Sequence, residues 1–551
     1  MVSIRLFILG VLCCLVSNAF SQVGENRYLV FFGDKIGTPY SIEQPEAFLS
    51  ERAIMRRMNQ SILITEEDLP VNPEYINEVR DLGDLEVIYS LKWFNAILIE
   101  TEDPEVIDLI LELDEVIGTQ ISQVIKDDQS IEFPTDEVIS FPKNNYSYGP
   151  SFNQINMING IPLHEAGYAG EGVWIGVFDG GFSFALQDLS LQNLMNSDRV
   201  LGTKNFVDGN DDVYQRSTHG SYVLSTMAGF LEDSLIGTAP DASYLLCITE
   251  DVDVERRIEE ANWAVAAEYA DSVGIDVINT SLGYTLFDLE NENHSYEVLD
   301  GNSTLITRAS NIAASKGMLI VTSAGNSGNS PWYYISAPAD GDNVLAVGAV
   351  RPDETIASFS SRGPRADGAV KPNIVAQGQA TVLANLGDGI RTANGTSFSS
   401  PVIAGMSASL WQAVPQATAQ EVFEAIEQSA HLYLNPNDSL GYGIPDFELA
   451  LQELQGITST RDLAFGKNDL KIYPNPWMDG EMLNLIVPEE FGAQVTLEVY
   501  DITGKRVMNH ILSAYDGRAR LQSMPVLNNG LYLLSISGED QQLATSKLLI
   551  Q

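Results

Sequence analysis

Between Ser147 and Leu454 the chain alternates short, wholly apolar runs (VWIGVFD, SYLLCI, DVINTSLG, MLIVTSAGN and VLAVGAV) with helical stretches around Ser221–Phe230, Val254–Ser272 and Thr304–Lys316. Runs that are apolar throughout, rather than at every second position, belong to strands covered on both faces. A helix between successive strands is the crossover that parallel pairing requires. The pattern therefore predicts an α/β domain with a mostly parallel sheet and helices on both faces. In such sheets functional side chains collect where the strands end at their carboxyl side. Asp179, Ser281 and Asn326 each follow an apolar run, so three strand ends point to one region.

The flanks have a different texture. MVSIRLFILGVLCCLVSNAFSQ places Arg5 before an apolar run from Leu6 to Val16 and small residues at Ala19 and Ser21, the pattern of a secretory signal spanning 1–21. Residues 22–146 read as a small α+β unit: YLVFF, LEVIYSL, WFNAILIE and Val116–Val124 as strands, with helices over Pro45–Asn59, Pro73–Leu82 and Pro104–Leu113. The alternating unit follows over 147–454, a polar linker over 455–470, and an all-β module over 471–551 built from runs such as VTLEVYDITGKRV and GLYLLSI. Only Cys247 lies outside the signal, so no intrachain disulfide is expected. The net charge of −45 excludes nucleic acid as a partner, since its phosphates would be repelled. The apolar run of the signal is too short for a stable transmembrane anchor, and no later stretch is long and uncharged enough for one.

Chemistry is sought among five histidines. His164, His294, His431 and His510 read as surface or structural residues. His219, in RSTHGSYVLSTMAG, opens a helix and is followed by Gly220, which leaves the imidazole unencumbered as a general base. Such a base needs a carboxylate to fix its tautomer, and Asp179 ends the strand VWIGVFD beside two glycines. An Asp-Gly turn is the plainer reading of the same residues. Asn326, in VTSAGNSG, offers a side-chain amide where negative charge would develop, or an ordinary turn. In ANGTSFSSPVIAG, Ser397 sits at a helix entrance as either a nucleophile or one of several capping hydroxyls.

The ordered segments VFDGG, THGSYV, NTSLG, SAGN, FSSRGP, KPNIVAQG and GTSFSSP resemble the subtilisin-like serine proteases, the subtilases. The resemblance implies a secreted serine endopeptidase whose Asp179, His219 and Ser397 form the triad and whose acyl-enzyme is released by water. Asn326 then joins the Ser397 N–H in the oxyanion hole, and Ser281, Leu282 and Gly283 pair with an extended peptide. It implies protein or peptide substrates, a hydrophobic preference beside the scissile bond, and no cofactor for the chemistry. The sequence departs from the family at Gly180, at Ser221 and Tyr222, at Asn373 where aspartate is common, and at Gln377 where proline is common.

Residues 22–146 are similar to the family's propeptide, with an extra helix, and imply a zymogen cut between Asp128 and Tyr148. The last module, opening KIYPNP, resembles the C-terminal sorting domains of the type IX secretion system of Bacteroidetes, with a β-sandwich-like fold. It implies that secretion machinery as a partner, passage through the periplasm, and release or display at the cell surface. Structural calcium is a candidate in the acidic loops VDGNDDVY, from Asp208 to Asp212, and ENENHSYEVLDGN, ending at Asn302. Two other readings remain open on sequence: a catalytically weak surface-binding or adhesion protein on the same fold, and an α/β-hydrolase-type esterase. The latter lacks the G-x-S-x-G turn and has the wrong triad order.

Overall fold

The computed structural model describes residues 22–24, 26–120, 146–386 and 389–464, and most of 470–550 with short gaps. The expected signal over 1–21, and most of the expected cut region, lie outside the described residues. The chain divides into two compact units, Met1–Leu451 and Gln452–Gln551.

The first unit begins with an antiparallel sheet in which Arg27–Phe32 is flanked by Ala96–Glu100 and Val116–Gln120, with Glu86–Leu91 paired outside Ala96–Glu100. Strand side chains alternate between faces. Val30, Ile97 and Ile99 accordingly pack against Val106 and Ile110 of the helix Pro104–Leu111. Leu29 and Leu98 instead pack into a second core with Trp263, Ala264 and Ala267 of the helix Ile258–Val273. The expected helix over Pro45–Asn59 is broken. Pro45–Ala47 forms a single 3-10 turn, and a new helix runs Glu51–Asn59 because Ser50, in an extended conformation, accepts a hydrogen bond from the Ala53 N–H as an N-cap.

The predicted parallel sheet is present with seven strands, in the order Ile374–Gln377, Val344–Val350, Leu319–Ser323, Val277–Thr280, Trp174–Asp179, Ser243–Ile248 and Val200–Asn205. All six pairings are parallel. Every residue of Val277–Thr280, Leu319–Ser323 and Val344–Val350 is buried, which is why these runs read as continuous rather than alternating hydrophobicity. Trp174–Asp179 comes first of these seven strands in chain order, yet its later neighbours lie on opposite sides, Ser243–Ile248 and Val277–Thr280. The strand order thus reverses at Trp174–Asp179, and a crevice opens at the carboxyl end of such a strand.

The second unit is one antiparallel sheet of seven strands, ordered Lys471–Tyr473, Leu483–Ile486, Arg518–Leu521, Arg506–Tyr515, Gln494–Asp501, Gly530–Ser537 and Leu543–Ile550. It curls until Trp477 bridges Ile550, enclosing Leu483, Leu485, Leu497, Val499, Leu534 and Leu548. The helix Phe447–Ala464 runs across the 454/455 position where sequence placed the start of a polar linker. Among the described residues no helix is long and apolar enough to cross a membrane.

Candidate active site

Parallel register carries several predicted residues to the same end of the sheet. Ile248 lies opposite Asp179, Thr280 lies opposite Phe178, and Thr322 lies opposite Thr280. Asp179, Ser281 and Asn326, which end or follow these strands, therefore lie at one end of the sheet, although far apart in the chain. The helix His219–Ala228 brings its first residue to Asp179. This approach depends on Gly220, where a Cβ would lie 2.5 Å from the Gly181 carbonyl oxygen and 3.0 Å from the Asp179 Cβ.

Asp179 is fully buried, and its two oxygens lie 2.9 and 3.0 Å from His219 Nδ1. Oδ1 also accepts the Gly180 N–H at 2.8 Å. A carboxylate on Nδ1 leaves Nε2 as the acceptor of the neutral imidazole. Burial alone would lower the His219 pKa; the charge and hydrogen bond of Asp179, with the charge of Glu250 added, outweigh it and hold it above the usual histidine value.

Ser397 is the second residue of the helix Thr396–Ala413. Its neighbour Phe398 stands against the imidazole, with ring centroids 5.8 Å apart. In this conformation Ser397 Oγ donates to the Ser281 carbonyl at 3.1 Å and makes no hydrogen bond to His219. Catalytic hydrogen bonds are often formed only when substrate is bound, and a rotation about χ1 redirects a serine hydroxyl. Pro401, four residues on, lacks the N–H that a helix would give to the Ser397 carbonyl. The Ser281 hydroxyl supplies that hydrogen bond instead, at 2.9 Å. Ser281 and Ser397 thus hold each other reciprocally, tying the end of a strand to the start of a helix.

Asn326 is exposed, and its orientation is fixed from behind. Its Oδ1 accepts the Thr396 N–H at 2.9 Å and the Thr396 hydroxyl at 3.1 Å, which leaves Nδ2 as the free end of the amide. Leu282 is buried and Gly283 exposed, and Tyr284 forms an antiparallel bridge with Ala337. The structure therefore joins Asp179 directly to His219, Ser397 to Ser281, and Asn326 to the residue before Ser397.

Sequence reasoning passed over four contributors. Thr396 orients Asn326, and Phe398 packs on His219. Asn279 accepts from the Ser400 hydroxyl at 2.9 Å and donates to the Ser281 hydroxyl at 3.1 Å. Glu250, two residues past the partner of Asp179, lies 3.3 Å from where a Gly180 Cβ would stand. Its place just past the end of the neighbouring strand was the available signal. Three of the other histidines are structural. His164 is buried between the Tyr148 hydroxyl and the Thr238 carbonyl, at 3.0 Å from each, His294 is buried against Glu260, and His431 Nδ1 accepts the Ile444 N–H at 2.9 Å. His510 is exposed.

Several carboxylates of the acidic loops are engaged by cations of the chain itself. Asp208 is paired with Arg216, Asp211 with Lys204 at 2.7 Å, and Glu292 with Arg256 at 3.0 Å. Among the described residues no three His, Cys, Asp or Glu side chains converge as a metal shell. The Asn373 amide bridges a cation and an acid, accepting from Lys371 Nζ at 3.0 Å while donating to Glu427 at 2.6 Å. Cys247 is a free, buried thiol.

Three family models match the chain. The subtilase family matches residues 170–443, the peptidase S8 propeptide domain of Bacteroidota matches 27–133, and a secretion system C-terminal sorting domain matches 471–551. Subtilisin DY of Bacillus licheniformis is 30% identical over 292 residues, covering 52% of this chain and 94% of that protein. Subtilisin E of Bacillus subtilis is 28% identical over 334 residues, covering 60% and 77%. An alkaline protease of Alkalihalobacillus alcalophilus is 27% identical over 445 residues, covering 79% and 96%.

Proposed function

Because the chain belongs to the subtilase family, is a serine endopeptidase and carries a type IX sorting domain, we propose that it hydrolyses extracellular proteins through Ser397, His219 and Asp179. His219 Nε2 takes the Ser397 hydroxyl proton as Oγ bonds to the peptide carbonyl carbon. The imidazolium then gives that proton to the leaving amine as the peptide C–N bond breaks, and water releases the acyl group by the same steps in reverse order. Asp179 holds the imidazole and its charge. The Asn326 Nδ2 and the Ser397 N–H, among the first N–H groups of a helix and so without an intrahelical acceptor, stabilise the oxyanion. The substrate backbone lies along Ser281–Gly283.

The observation that carries this reading is the grip of both Asp179 oxygens on His219 Nδ1, at 2.9 and 3.0 Å. The chain is proposed to cross the inner membrane by the signal at 1–21, and the periplasm before export. The unit over 22–146 leaves by a cut between Asp128 and Tyr148, and the module over 471–551 directs secretion or surface display. A fluorophosphonate probe is expected to label the mature wild-type enzyme and not Ser397→Ala, with casein cleavage lost in parallel. Equal labelling or equal cleavage by both removes Ser397 from this role.

A further inference from the structure

The carboxyl end of the strand Ser243–Ile248 leads into a cluster of acids with too few cations. Glu250 stands beside Gly180 at the end of the Asp179 strand, where the absence of a Cβ leaves room, since a methyl there would come within 2.6 Å of Val252 Cγ1 and 3.3 Å of Glu250 Oε2. Glu255 follows five residues later, and the fully buried Glu259 closes the group from the first turn of the helix Ile258–Val273. Nearby cations are engaged elsewhere: Arg216 pairs with Asp208 and Asp251, and Arg256 with Glu292. The Glu259 oxygens accept the Asp251 N–H at 2.8 Å and the Arg256 N–H at 3.2 Å. Among the described residues, no hydrogen bond or salt bridge holds the side chain of Glu250 or Glu255.

A second observation concerns two buried hydroxyls beside the cluster. The Tyr284 hydroxyl, on a residue only 1% exposed, has no hydrogen-bond partner, and its charged neighbours are Glu259, Glu250, Glu255 and Glu260. The hydroxyl of Thr249, also fully buried and next to Glu250, is likewise unpartnered. Buried polar groups in folded proteins are nearly always satisfied, and a donor-rich group reaching the carboxylates would satisfy these hydroxyls with them. Tyr284 directly follows Ser281–Gly283, the segment assigned to the substrate backbone. Burial, then the charge of Asp179, pushes the carboxyl of Glu250 up to about 7 against the opposing pull of His219, and burial, then the charges of Glu250 and Asp288, pushes that of Glu255 up to about 8.

Resting on the proteolytic reading above, we propose that Glu250, Glu255 and Tyr284 form a subsite for a cationic side chain, arginine above all, on the amino-terminal side of the scissile bond. The carboxylates do not converge as a metal shell requires. A guanidinium suits them better, because its five donors are spread in a planar fork that reaches several acceptors at once. Glu250 is close enough to His219 to raise its pKa, which sets one end of the subsite next to the reacting bond. Side chains of an extended peptide return to the same face at every second residue, so the preference falls on positions two apart. A net charge of −45 also draws cationic substrates toward the molecule. The apolar preference implied by family resemblance is thereby confined to other positions.

The test uses the mature enzyme and a peptide series in which each of the four positions before the cleaved bond carries arginine or its neutral isostere citrulline. The expected kcat/KM ratio of arginine to citrulline is about tenfold or more at one or two positions, spaced two apart if both respond. It falls toward one in the double variant Glu250→Gln, Glu255→Gln. The ratio is internal to each enzyme, so partial misfolding of the variant does not produce it. A ratio near one at every position in the wild type overturns the proposal. So does a preference that survives the double substitution, or one abolished by molar salt, which marks long-range attraction rather than a buried pairing. Cleavage of neutral peptides that is lost in Ser397→Ala, together with a ratio of one, leaves the proteolytic reading intact and removes only this subsite.

Discussion

Asp271 provides a quantitative test of the N-terminal unit's role. It lies on the helix Ile258–Val273, is fully buried, and receives Arg56 at 2.5 Å, Arg57 at 2.8 and 2.9 Å, and Lys92 at 3.3 Å. All three cations belong to the unit before residue 120. Burial works against the charged acid, but the three cations outweigh it and hold the carboxyl well below the usual carboxylate range. Replacing one member of a buried ionic cluster costs about 3–5 kcal/mol, because the charges left behind stay desolvated. Arg57 keeps Asp68 at 3.0 Å, so the lower figure applies, about 3 kcal/mol or roughly a hundredfold in the docking equilibrium.

The perturbation is Asp271→Asn in the full-length chain, on a Ser397→Ala background that prevents self-cleavage. Amides of the helix Glu51–Asn59 are expected to exchange with deuterium about a hundredfold faster when that unit opens independently. In the mature enzyme the same substitution is expected to change thermal inactivation by no more than about 0.5 kcal/mol, because Asp271 is then a surface acid. Equal destabilisation of both forms would refute the reasoning, as would exchange rates that do not move.

Two further outcomes follow from the site. Asn326→Ala is expected to cost about 3 kcal/mol of transition-state stabilisation, read as a fall in kcat of about a hundredfold with KM nearly unchanged, since the amide engages charge that exists only along the reaction path. For neutral peptides the acid limb of kcat/KM is expected above the usual histidine value. His219 must be unprotonated to act as base, and Asp179 and Glu250 favour its protonated form. Glu250→Gln removes one of those charges, so the limb moves to lower pH; a limb that stays in place or moves up excludes Glu250 from contact with the couple.

What the sequence discloses is governed by the range of the interactions involved. The apolar runs around Val277–Thr280 and Val344–Val350 announce a two-sided core because the requirement is local to each strand. Asp179, His219, Asn326 and Ser397 stand out because each needs a particular short backbone setting. The break at Ser50 was hidden, since a Pro-to-Asn stretch with good helical spacing conceals one capping hydroxyl. Glu250, Asp271 and the Ser281 hydroxyl were hidden for a deeper reason. Each looks ordinary in its own segment and acquires a role only through strand register or through packing with residues up to about two hundred positions away.

The same logic explains why charge carries both the docking of the N-terminal unit and the proposed substrate subsite. A chain with a net charge of −45 has few cations to distribute, and three of them meet at Asp271. Among the described residues no lysine or arginine pairs with Glu250 or Glu255, where acids crowd the end of the sheet beside the reacting couple. Leaving carboxylates unpaired there opposes folding, and a chain with so many surface positions available for acids had no structural need to bury them. An arginine arriving on the substrate supplies the missing charge only while bound. On that account the cost is borne by the free enzyme and relieved by a cationic peptide, which makes the arrangement a means of discrimination rather than of stability.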